Sequence, residues 1–145
     1  MNNVNIFLDF LNREHYQIYY TPIARYLKSV DAAILLSELV QRHQYHQARN
    51  ELQVIPGKGE GWFYHTQESI EERLALGRKT QDRAIEILKE FKLIDVVRFG
   101  LPCKRYFRIN FEGFQDLSKN LSSLSKTDKL DCPKRTNCTL YRRTQ

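Results

Sequence analysis

Residues 61–112, GWFYHTQESIEERLALGRKTQDRAIEILKEFKLIDVVRFGLPCKRYFRINFE, constrain the fold of this 145-residue chain more than any other stretch. WFYHT is aromatic and β-branched, which favours a strand. Thr66 is a good N-cap and Glu68 falls in the first turn that follows, where the helix dipole favours a negative charge. ESIEERLA is therefore predicted as a helix that buries Ile70 and Leu74. Leu76-Gly77 makes a turn, and Gly77 can cap the next helix, RKTQDRAIEILKEFK, though less strongly than Ser or Asp. At about 100° per residue, Ala84, Ile85, Ile87, Leu88 and Phe91 share one broad side of it. Lys79, Asp82, Arg83, Glu86 and Glu90 point the other way, with Thr80 and Gln81 on the flanks. IDVVRF and CKRYFRINF flank Gly100-Leu101-Pro102, and two such runs around a Gly-containing turn make a hairpin.

Upstream, residues 4–11 (VNIFLDFL) read as a short amphipathic helix and residues 16–20 (YQIYY) as extended chain. Pro22 suits the first turn of a helix of about two turns. A longer helix begins after Ser29, VDAAILLSELVQRHQYHQARNEL, with Ala32, Leu35, Leu36, Leu39 and Val40 at core-facing spacing. Pro56, Gly57, Gly59 and Gly61 break the chain into a loop. After Phe114 the composition turns to Ser, Thr, Lys and Asn, and the few leucines show no period that would bury them. The expected organisation is a domain over 1–114 and a flexible, basic, disordered tail or linker over 115–145. The expected fold class is α+β, mainly α: a winged helix-turn-helix with N-terminal helices and a C-terminal β-hairpin wing.

The net charge of +6 is unevenly placed. Residues 1–66 hold six Lys/Arg against six Asp/Glu, residues 67–114 ten against eight, and residues 115–145 seven against three. Such asymmetry points to a polyanionic partner, although mild excess charge also serves solvation. No apolar run approaches the roughly 20 residues that cross a bilayer. The N-terminus has no basic leader region, so a cytoplasmic protein with no membrane partner is expected. Cys103, Cys132 and Cys138 are odd in number and scattered, which argues against a disulfide framework, and the last two have the wrong spacing for a zinc knuckle. His43 and His46 could share a helix face, but with no third ligand they read as solvated helix histidines rather than a metal site. No catalytic set stands out, and GKGEG at 57–61 lacks phosphate-loop spacing. No enzyme activity, cofactor, metal or small-molecule substrate is expected.

The run GWFYHT…IEERLALGRKTQDRAIEILKEFKLIDVVRFGLPCKRYFRINFE resembles the winged-helix domain of bacterial and phage replication initiators, the replisome-organiser proteins related to the DnaD N-terminal domain. The matching features are the aromatic strand, the Leu-Gly turn, and Gly-Leu-Pro followed by Lys104-Arg105-Tyr106-Phe107. YYTPIARYL…SVDAAILLSELV is similar to the helical lead-in of those domains, and LSKTDKLDCPKRTNC to the linkers that follow them. The resemblance covers residues 16–114, with a looser echo to about residue 138. It implies a sequence-specific duplex-DNA-binding protein that acts in replication initiation on phage, plasmid or mobile-element DNA.

In such a fold the start of the second helix reaches base edges. Here that means Arg78, Lys79, Asp82 and Arg83, with Thr80 and Gln81 at the margins. Arg and Lys suit guanine and Gln suits adenine. Arg98, Lys104 and Arg105 flank the hairpin tip and would neutralise phosphates. Against this, Lys79 with Asp82, Arg83 with Glu86 and Glu86 with Lys89 are i,i+3 pairs, as on any solvated helix face. A transcriptional regulator of the same fold, or a protein-interaction winged-helix module of a replication complex, are the alternatives. Besides double-stranded DNA, a second copy docking through the aromatic segment 4–26 and replication proteins are candidate partners.

Overall fold

A computed structural model describes residues 16–127, with side chains through residue 123. The helix expected over 4–11, most of the proposed dimer segment, and Cys132 and Cys138 lie outside the described residues. Pro22 sits in the first turn of α1 (Thr21–Leu27), where its ring presets helical φ and its missing N–H costs nothing. Left-handed Lys28 ends α1, and Ser29 starts α2 (Val30–Ala48) by accepting the Ala32 amide at 3.1 Å. Residues 16–20 precede α1 without joining a strand, and Tyr16, Ile18 and Tyr20 are exposed.

The expected end of the long helix is corrected: α2 stops at Ala48, and residues 53–55 form a strand. This strand, β1 (Gln53–Ile55), turns through Pro56-Gly57-Lys58 into β2 (Gly59–Tyr64). The glycine-rich stretch read as a loop is thus half of a hairpin. Three residues give no alternation to read, and Gly59 lies where the sheet comes close to another side chain. A Cβ there would stand 3.4 Å from Nη1 of Arg108, and its φ of 86° suits glycine.

Thr66 accepts the Ser69 amide at 3.0 Å and so caps α3 (Gln67–Leu74), as the sequence predicts. Gly77 precedes α4 (Arg78–Glu90), whose Ala84, Ile85 and Leu88 are buried. Strands β3 (Ile94–Phe99) and β4 (Lys104–Ile109) form the predicted second hairpin, in register from Ile94↔Ile109 to Phe99↔Lys104. β2 pairs with the other side of β4, which gives one antiparallel sheet in the order β1-β2-β4-β3. Helix α2 crosses behind it and packs on α4, α1, β2 and β4. Leu35 and Leu39 of α2, Phe63, Ile70, Leu88, Ile94 and Phe107 are the fully buried centre, with the Phe63 and Phe107 rings stacked at 6.2 Å. Five helices and a four-stranded sheet among the described residues make this an α+β fold, mainly helical.

The boundary expected at residue 114 is also corrected. α5 (Phe111–Thr127) runs straight across it, and Leu117 is buried while Phe114 and Leu121 pack on the core. Those three residues recur at three- and four-residue spacing, a core-facing stripe hidden by the polar residues around it. Asn110 starts α5 by accepting the amides of Glu112 and Gly113, and its own amide bonds to the Leu93 carbonyl at 2.9 Å. Gly113 packs so closely on the turn after α4 that an added Cβ would lie 2.7 Å from the carbonyl carbon of Lys92. Backbone cannot give way as a side-chain end can. Gly113→Ala is therefore expected to lower unfolding stability by about 1–3 kcal/mol through overpacking. Urea denaturation measures this, and an unchanged midpoint would sink the account of how α5 docks.

Candidate nucleic-acid interface

Three residues join α3 to α4. Ala75 takes a left-handed φ of 56° and closes the end of α3 on the Glu71 carbonyl, and Leu76 is buried. Gly77 then lets α4 leave in a new direction. Inside this corner lies Gln81, placed on a helix flank by the sequence and among the margin contacts to DNA. That placement is corrected: Gln81 is 0% exposed. Its Nε2 donates to the carbonyls of Gln67 at 3.0 Å and Leu76 at 2.8 Å, and its Oε1 accepts from Nη2 of Arg105 at 3.2 Å. Two carbonyls facing Nε2 and a cation facing Oε1 admit only one orientation of the amide. Gln81 is thus committed to the fold, because a base would have to displace all three partners.

Arg105 is likewise only half available. Its guanidinium lies 5.0 Å from the centre of the Phe107 ring while bonding Gln81, and its Nε is buried without a partner. Burial lowers its pKa from the usual arginine value, Asp82 and Glu68 pull it back up, and Arg98 lowers it further. Arg98 stands opposite Arg105 in the β3–β4 register and is exposed. Lys104 is exposed too, with Nζ 4.8 Å from the centre of the Tyr64 ring. Arg98, Lys104 and Arg105, expected together at the hairpin, line one open cleft against Tyr64, Thr66, Gln67 and Glu68. The start of α3 is the part of this site that the sequence did not reveal. Its cap was legible, but its position facing the hairpin was not.

On α4, Arg78, Lys79, Asp82 and Arg83 are exposed and Thr80 is half-buried. Of the expected i,i+3 ion pairs only Glu86–Lys89 closes, at 3.3 Å. Among the described residues Arg78, Lys79 and Arg83 have no acidic partner within ion-pair distance, so the cations of the first two turns are unpaired. The Gln81–Arg105 bond sets this turn of α4 beside β4 of the hairpin.

A separate cluster fixes α3. Glu38 of α2 is 0% exposed, and its Oε1 accepts from Arg73 at 2.7 Å, Arg42 at 3.1 Å and the His65 ring at 3.2 Å. Burial pushes its carboxyl up, but the bonds from His65, Arg42 and Arg73 outweigh that and hold the pKa down to about 2. Arg108, at the base of the hairpin, is a clamp. It bonds Asp95 at 2.8 Å and the Lys58 carbonyl at 2.8 Å while lying over Trp62, and so ties the two hairpins together. His43 is not the solvated histidine expected: it is buried edge-on against Phe63 and Phe111, and burial and His46 lower its pKa. Among the described residues no group of three His, Cys, Asp or Glu is placed to hold a metal ion. No helix among them is long and apolar enough to cross a membrane.

Neither a protein-family model, nor a curated protein, nor a solved structure matches this chain.

Gln81→Leu keeps the volume but strands the buried Leu76 carbonyl, the partly buried Gln67 carbonyl and Arg105, so it is expected to cost about 2–4 kcal/mol in denaturant unfolding. A loss below about 0.5 kcal/mol, the size of an ordinary surface change, would remove Gln81 from its central place. For Glu38, the unfolded carboxyl titrates near 4.5 and the folded one near 2. Between those values the unfolded chain binds the extra proton. Glu38 therefore contributes about 3 kcal/mol that is complete above roughly pH 5 and fades as pH falls toward 2. Glu38→Gln should unfold more easily at pH 7 and show a shallower loss of stability below pH 5. Parallel stability–pH curves for the two proteins would discard this assignment.

Proposed function

We propose that this chain is a winged helix-turn-helix protein that binds duplex DNA, with α3 and α4 as the helix pair and β3–β4 as the wing. The observation that supports the reading is the Gln81–Arg105 bond, which joins the first turns of α4, with their unpaired cations, to the strand that carries Lys104 and pairs with the strand of Arg98. In the proposed complex the first turns of α4 enter the major groove, and Arg78, Lys79 and Arg83 reach base edges. Thr80 is a marginal contact and Gln81 none. Arg98 and Lys104 neutralise phosphates, and Arg105 orients the hairpin against α4 as well as adding charge. The process, initiation of replication on phage, plasmid or mobile-element DNA, rests on the resemblance of residues 16–114 to replication initiators. A transcriptional regulator would use the same surface, and an origin repeat as against a promoter palindrome as the bound site tells the two apart.

A protein-docking role has one observation in its favour: Asp82 on α4 and Glu68 at the cleft put acids among the bases. Fluorescence anisotropy of a labelled random duplex separates the readings. Four or five phosphate contacts predict affinity falling roughly 10²–10³-fold between about 50 and 200 mM salt. Lys79→Glu/Arg83→Glu should abolish binding. Lys104→Ala should weaken all sequences alike and flatten the salt slope by about one. Absence of binding at micromolar protein would turn the assignment to the protein-docking module.

A further inference from the structure

The hairpin carries a feature that phosphate binding does not use. Between Phe99 and Lys104 the chain turns through Gly100-Leu101-Pro102-Cys103, and Leu101 at its apex has a relative exposure of 102%. No other large apolar residue described is so exposed, and Phe99 beside it is 44% exposed. Single exposed leucines are ordinary on a protein surface. This one stands at the apex of the β3–β4 turn, between Gly100 and Pro102. It touches no part of the core cluster. On its two sides the strands present Arg98 and Lys104, both exposed. The tip is therefore an apolar point between cations, and its complement is an apolar slot between two rows of anions.

Duplex DNA offers such a slot at a base step in the minor groove. The groove is about 6 Å wide, which admits a hairpin apex but not a helix. Phosphates border it on either side, and apolar side chains pushed between its base steps unstack and kink the duplex. We infer that Leu101 is a minor-groove wedge: it inserts at a base step while Arg98 and Lys104 hold the flanking phosphates, and the DNA bends away from the hairpin. This rests on the proposed DNA-binding function and adds a mode of recognition to it. Pyrimidine–purine steps unstack most easily, so the wedge gives preference for flexible steps without any hydrogen bond to a base.

The test uses the full chain and two labelled duplexes of about 30 base pairs, alike except that one has TA steps and the other an uninterrupted A-tract at its centre. Energy transfer between end labels reads the bend, 2-aminopurine at the central step reads unstacking, and anisotropy reads affinity. The wild type is expected to bend the TA duplex by some tens of degrees, raise its 2-aminopurine fluorescence and bind it about tenfold tighter than the A-tract. Leu101→Ala lies in an exposed turn and leaves the core intact. It should bind both duplexes equally, with an unchanged salt slope and no bend, while Leu101→Met restores the preference. Binding without bending, or bending unaltered in Leu101→Ala, overturns the wedge and leaves the DNA-binding function standing. Failure to bind either duplex overturns both.

Discussion

The arrangement of this surface depends on one buried amide. Gln81 spans the carbonyl that opens α3, the carbonyl in the corner between α3 and α4, and the guanidinium of Arg105 on β4. The turn at residues 75–77, the Glu38 cluster and the core also join these elements, and apolar packing fixes distance more than rotation. Hydrogen bonds are directional, and inside a protein an unsatisfied partner is costly. The geometry of α4 against the hairpin is therefore specified far more narrowly than by Leu88, Ala84 and Ile94 alone. The use of a polar residue in the core also explains why Arg105 holds a cation beside an aromatic ring. Gln81 supplies its acceptor, and Asp82 and Glu68 offset its burial.

Around this joint the molecule separates charges that hold the fold from charges left unpaired. Glu38 gathers Arg42, Arg73 and His65, and Asp95 takes Arg108. Each of the three arginines is tied to an acid on a different element or turn. The Glu38 cluster pins α3 to α2; the Asp95 pair steadies Arg108, whose other bond, to the Lys58 carbonyl, pins the β1–β2 turn to the second hairpin. Arg78, Lys79, Arg83 and Arg98 are not bound in this way. A mildly positive chain can thus keep these cations unpaired, because its internal ion pairs draw on others, Arg42, Arg73 and Arg108. Exposed ion pairs contribute little to stability, so leaving those four unpaired costs the fold almost nothing.

The elements with their own local signals were legible. Ser29, Thr66 and Gly77 cap helices by backbone rules that need no partner, and the apolar faces of α2 and α4 recur at helical spacing. The Gly-Leu-Pro turn announced the second hairpin. What failed to show was short or disguised. β1 has three residues, too few for a period. The stripe Phe114, Leu117, Leu121 is diluted by Ser, Lys and Asn, so a docked helix looked like a linker. Of the expected site residues, Lys79 and Arg83 are exposed, as their helical spacing implied, and Arg78, Arg98 and Lys104 are exposed too. Gln81 is not, since a flank position on a helical wheel faces solvent or core according to what packs beside it.

The sequence by itself determined the order of the elements from α1 to β4 apart from β1, the caps that bound most of the helices, and the charge excess of the C-terminal part, because these depend on neighbours along the chain. Only the tertiary structure decided that Gln81 is core, that Arg108 is a clamp, that α5 completes the domain, and that Arg98, Lys104 and the start of α3 share a cleft. Those facts depend on which surfaces meet, and a side chain's role follows from the partners that folding brings to it across the chain.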